Sequence, residues 1–76
     1  MKQQVLSRIQ NGGYTLGELG HFYSRSKEVR LWVGSSVVMD KRVNGKWVLQ
    51  ARLPFEMFLK VWDDVYQEGG VNGQST

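Results

Sequence analysis

An α+β domain is what this sequence predicts, and three observations carry that expectation. Asn44-Gly45 sits between two alternating apolar stretches, the apolar stripe after Pro54 has helical spacing, and Thr15 to Glu18 has the form of a helix start. The 76 residues suffice for one small domain, 1–68, near the lower size at which a core holds without cross-links. With no cysteine, neither disulfides nor thiolate zinc sites are available.

Lys2 to Gln10 places Val5, Leu6 and Ile9 on one helical face, and Asn11-Gly12-Gly13 ends that helix. Thr15-Leu-Gly-Glu18 then reads as a capping box, with Tyr14 and Leu19 positioned as a hydrophobic staple. The helix so started is expected to run to about Tyr23. Its interior glycines, Gly17 and Gly20, each cost about 1 kcal/mol relative to alanine and ask for close packing.

Val29 to Val43 supports two readings. Apolar residues at 29, 31, 33, 37, 39 and 43 have the period of a strand. Ser26 as N-cap and Gly34 as C′ residue instead bracket a short helix with Val29, Trp32 and Val33 on one face. Beyond Gly34 the strands Val37 to Val43 and Lys46 to Leu53 flank Asn44-Gly45, the preferred pair for a type I′ turn. Trp47, Leu49, Ala51 and Leu53 are expected to share the inward face.

Pro54 suits a helix start, and Phe55, Phe58, Leu59, Trp62, Val65 and Tyr66 continue the stripe to Gly69-Gly70. The remaining residues, 69–76, are expected to form a disordered tail. VNG at 43–45 and 71–73 is too short to make a repeat.

No apolar run is long enough for a membrane span, and MKQQVLSRIQ lacks the apolar region of a signal peptide, so a cytoplasmic location is expected. Catalysis has little material. His21 is the single histidine, Asp63-Asp64 read as a solvated helix face, and no glycine pair continues into a phosphate loop. The expectation is a protein without enzymatic activity, cofactor or metal.

Charge is more informative. The net +3 conceals seven cations against two anions between residues 24 and 52, and one cation against four anions from 53 onward. With a second helix at Ser26, Ser24, Arg25, Ser26, Lys27 and Arg30 are candidates for contacts to phosphates and base edges. The Asn44 hairpin, with Lys41, Arg42 and Lys46 near its tip, would act as a wing on the flanking backbone or minor groove.

That arrangement is a small winged helix-turn-helix, and the residues that carry it resemble the excisionase-type DNA-binding proteins of phages and transposons, distantly similar to the DNA-binding heads of mercury-resistance-type regulators. Tyr14 to Leu19 looks like that family's first helix, Ser24-Arg25-Ser26 with Val29-Arg30 and Trp32 like its turn and recognition helix, and Val43 to Leu49 like its wing. The resemblance implies an architectural binder of double-stranded DNA in recombination, self-associating on DNA, with a site-specific recombinase as partner.

The alternative keeps Glu28 to Val33 as a strand. It gives two short N-terminal helices, a three-stranded antiparallel meander and a packed C-terminal helix. Arg30 and Trp32 then share the face opposite Val29, Leu31 and Val33, and an exposed Trp32 would anchor a protein partner of an inhibitor or adaptor, although the sheet itself suits nucleic acid as well.

Overall fold

The computed structural model describes residues 1–74, with side chains described through residue 65. The chain runs α1 (Lys2–Asn11), β1 (Thr15–Leu16), a three-residue 3₁₀ turn (Glu18–Gly20), β2 (Phe22–Tyr23), β3 (Val29–Val33), β4 (Val37–Val43), β5 (Lys46–Leu53) and α2 (Phe55–Gln74). The five strands form one antiparallel sheet in sequential order. Both helices contribute to a core on one face of it, where Val5 and Ile9 of α1 and Phe58 of α2 meet Phe22, Leu31 and Val37.

The helix expected over Thr15 to Tyr23 is not formed. Leu19 (φ 57°) and Gly20 (φ 76°) both take left-handed backbone, which no right-handed helix can pass through. The segment becomes a small hairpin instead, with Thr15 opposite Tyr23 and Leu16 opposite Phe22. Its staple leucine, Leu19, is 86% exposed.

The second helix at Ser26 is also replaced, by a turn and β3, so the described residues hold no helix-turn-helix pair. The serines put their capping chemistry into the turn. Val29 N–H donates to Ser24 Oγ at 3.2 Å, and Glu28 N–H to Ser26 Oγ at 3.3 Å. β-branched residues at 29 and 33 favour the extended form, and Leu31 between them is fully buried, opposite Phe22 on one side and Met39 on the other. The strand alternative of the sequence therefore describes this half of the fold, extended from three strands to five.

The β4–β5 hairpin forms as expected around Asn44 (φ 53°) and Gly45 (φ 80°). Its register contains an irregularity. Met39 pairs with Ala51 but Asp40 with Leu49, which leaves Gln50 without an opposite residue. Such a bulge inverts alternation along its strand. Ala51 and Leu53 keep the inward face, whereas Trp47 and Leu49, also expected there, are turned to the outer one.

α2 starts directly after Pro54, whose carbonyl accepts the Phe58 N–H at 2.9 Å. It joins α1 through a bidentate contact, Arg8 Nε to Asp63 Oδ1 at 2.9 Å and Arg8 Nη2 to Asp63 Oδ2 at 3.2 Å, and it meets the loop after α1 through Tyr14 and Trp62, whose ring centres are 5.9 Å apart. The helix continues to Gln74, past Gly69-Gly70 where the sequence had ended it. The tail expected over 69–76 falls on residues whose side chains, and at 75–76 whose backbone too, lie outside the described residues. Among the described residues, no helix is long and apolar enough to cross a membrane.

Candidate nucleic-acid interface

The outer face of the sheet, opposite the helices, is built by alternation. Since Phe22, Leu31 and Val37 point inward, Tyr23, Arg30, Trp32, Val38, Asp40 and Arg42 point outward, and the bulge adds Trp47 and Leu49. Three aromatic rings and three arginines, Arg52 opposite Val38 included, thus share a surface with Asp40.

Tyr23 on β2 and Trp47 on β5 stand three strand spacings apart, roughly 14 Å on a flat sheet. Their ring centres are nevertheless 5.8 Å apart, in edge-to-face orientation. The two side chains lean toward each other over the intervening strands and, with the loop at Gly17 and Glu18, give the outer face a concave outline. The bulge at Gln50 adds local twist to β5.

Arg30 forms the floor of the concavity. Its Nε donates to Asp40 Oδ2 at 2.8 Å, and its guanidinium carbon lies 4.6 Å from the centre of the Trp47 ring. The pair is mostly shielded, at 21% and 15% side-chain exposure. Burial opposes the Arg30 charge, but hydrogen bonds to Asp40 and Tyr23 outweigh it and push its pKa up, so the cation is held. Arg42 approaches the same ring at 5.5 Å and is exposed, so its charge is available to a ligand.

An open groove of about 380 Å³ runs beside this cluster, lined by Gly17, Glu18, Tyr23, Lys27, Arg42 and Trp47. Gly17 is required there, since a Cβ at that position would come within 2.8 Å of the Tyr23 ring. Lys27 reaches the groove from a left-handed backbone conformation (φ 63°), fixed by its N–H bond to the Ser24 carbonyl at 3.0 Å. Its ammonium and the Arg42 guanidinium outnumber Glu18.

The candidate residues named from the sequence are gathered by topology at one end of the sheet. The turn that carries Ser24, Arg25, Ser26 and Lys27 lies beside the Asn44 hairpin, as the Arg42 N–H bond to the Glu28 carbonyl at 2.7 Å shows. They divide in role. Arg30, Arg42 and Lys27 serve the concave face, and Ser24 and Ser26 are engaged in turn hydrogen bonds. Arg25 folds back over Gly13, while Lys41 and Lys46 are exposed on the helix-facing side of the sheet and Asn44 is at the hairpin tip.

Sequence reasoning missed Tyr23, Asp40 and Trp47 as members of this site. Period two in β3 and β4 already put Arg30 and Asp40 on one face. Nothing in the sequence marks the bulge that brings Trp47 to them. Among the described residues no group of three or more His, Asp or Glu side chains could hold a metal ion. No protein-family model, curated protein or solved structure matches this chain.

Proposed function

We propose that this protein binds single-stranded nucleic acid along the concave face of its sheet, without catalysis. The observation that carries the reading is the combination on one open face of Trp47 and Tyr23 with Arg42 and Lys27 at a groove. Single strands are held by bases stacked on aromatic rings and by cations that follow the backbone, and neither contact needs a reading helix. Arg42 swings from the Trp47 ring to a phosphate as a base takes its place, whereas Arg30 stays locked to Asp40 beneath.

Nucleic acid therefore remains the partner, but the mode differs from the one the excisionase-type resemblance implies. Readout of double-stranded DNA in the major groove depended on a helix at Ser26, and the recombinase partner depended on that resemblance; neither is carried forward. The basic turns at 24–27 and 41–46 extend the positive field around the groove and favour association at low salt.

The test is titration of a fluorescent oligothymidylate, with a duplex of equal length for comparison, over a range of salt. Preference for the single strand, with affinity falling as salt rises, is expected. Equal affinity for duplex, or no binding at low salt, would count against the proposal.

A protein partner on the same face is the second reading, favoured by the exposure of Trp32 (44%) and Leu49 (56%). Its signature is a partner retained after nuclease treatment and lost with Trp32→Ala.

A further inference from the structure

Two features beside the groove are left unused by it. Leu19 is 86% exposed and sits in left-handed backbone (φ 57°), a conformation that glycine adopts freely and leucine seldom. Trp32 is 44% exposed on the same face as Trp47. A leucine so exposed buries little of its side chain, and a turn in this conformation would be better served by glycine.

The loop that carries Leu19 lies between the two aromatic sites. At its start, Gly17 is pressed against the Tyr23 ring and lines the groove with Glu18. At its end, the Cβ position of Gly20 is 3.9 Å from Trp32 Nε1. Trp32 itself is held from below, since a Cβ on Gly34 would come within 2.5 Å of its six-membered ring. The indole is thus a fixed, partly open aromatic surface in the row Trp32, Val38 and Arg52, next to a loop whose tip projects an apolar side chain.

We propose that Trp32 is a second base-stacking platform and that Leu19 is a wedge that parts the base on Trp32 from the base on Trp47. Apolar wedges inserted between neighbouring bases are a known way for proteins to unstack nucleic acid. The leucine does so without a hydrogen-bond code, so the subsites take bases of single-stranded DNA or RNA with little sequence preference. Arg52, opposite Val38 on the adjoining strand, supplies a cation at the Trp32 end. This inference rests on the single-strand reading above and adds to it the path of the strand and the unstacking of two of its bases.

The experiment pairs affinity with a direct signal for unstacking. Single strands of about 4 to 16 nucleotides, the range of known single-strand site sizes, carry one central 2-aminopurine, whose emission rises when it leaves the stack. Wild-type protein is expected to brighten the probe. Leu19→Gly is expected to melt at a higher temperature, because the left-handed strain is relieved, yet to lose the brightening and to bind about fivefold or more weakly. Trp32→Ala is expected to weaken long strands by a similar factor and to leave the shortest ones, held at Trp47 alone, unaffected.

Opposite signs for stability and binding at one residue are not expected of a merely structural side chain. The inference is overturned if Leu19→Gly keeps both affinity and probe brightening, or if Trp32→Ala acts equally at every length. In either case wild-type binding and its sensitivity to Trp47→Ala would stand. Absence of wild-type binding to any strand would overturn the single-strand reading as well.

Discussion

Trp47→Ala tests the stacking surface of the concave face most directly. In the free protein the indole makes one edge-to-face contact with Tyr23 and is faced by two guanidinium groups. The aromatic pair contributes about 1 kcal/mol. Each cation–π contact adds about 0.5 to 1 kcal/mol at an accessible site. Arg30 keeps its bond to Asp40, so no buried charge is orphaned. The expected loss of stability is therefore about 2 kcal/mol, a fall in Tm of roughly 10 °C for a domain of this size.

Binding should fall by a comparable amount, through the separate loss of a stacking surface. A base stacked on an aromatic ring is worth about 1 to 3 kcal/mol, which is roughly a fivefold to 150-fold loss of affinity. Anisotropy of a labelled oligothymidylate, at a temperature where circular dichroism shows the variant folded, reads this directly. Trp62→Ala is the control, since Trp62 packs with Tyr14 and Phe58 on the helix side. It should lower Tm and leave the affinity of folded protein unchanged. A folded Trp47→Ala variant that binds like wild type would refute the stacking platform.

Further expectations follow from the same geometry. Lys27→Ala and Arg42→Ala should each reduce the slope of log affinity against log salt by about 0.7, the counterion released per phosphate contact on a single strand; an unchanged slope would remove that cation from the interface. Leu31→Ala, at a fully buried site in the middle of the sheet, should cost about 2 to 5 kcal/mol in urea denaturation, and a cost below 1 kcal/mol would argue against β3 as a core strand. Gly45→Ala meets no atom within 4 Å, so its cost should be the left-handed strain alone, about 1 to 2 kcal/mol, measurable by the same method.

The Arg8–Asp63 contact gives a pH test. The hydrogen bond from Arg8 lowers the Asp63 pKa below its ordinary value of 3.8, burial opposes it, and the Arg8 charge adds to the lowering. A depressed carboxylate contributes stability that is present above the unfolded-state value and lost as pH falls through the folded-state one. Asp63→Asn should thus reduce stability at neutral pH and converge with wild type in acid, and a difference constant with pH would refute the linkage.

Where local chemistry and tertiary packing agree, the sequence is readable. The Asn44-Gly45 turn needs two positive φ values and has them, the α2 stripe after Pro54 delivers Phe58 to the core, and α1 buries Val5 and Ile9. Thr15 misled because the left-handed backbone at Leu19 and Gly20 turns the chain back into a hairpin, and Ser26 because a serine hydroxyl beside a free N–H satisfies a tight turn as well as a helix start. Ser24 and Ser26 satisfy such donors in the turn before β3, and Gly34, which looked like a helix C′ residue, makes room for the Trp32 ring.

The basic residues of the candidate site were legible as a segment, because charge is visible in one dimension. Their convergence at one end of the sheet was not, since it depends on which hairpin turns lie side by side. The Trp47 surface was least visible. One unpaired residue, Gln50, decides which face Trp47 occupies, and bulges leave no mark in hydrophobic periodicity.

The most direct measurement is a titration of isotope-labelled protein with unlabelled oligothymidylate at low salt, followed by amide and indole shifts. Shifts are expected at Tyr23, Lys27, Arg30, Arg42 and the Trp47 indole, with Val5, Ile9 and Phe58 on the helix side unchanged. Saturation without shifts on the concave face, or shifts confined to the helices, would contradict a single strand held on the open side of the sheet.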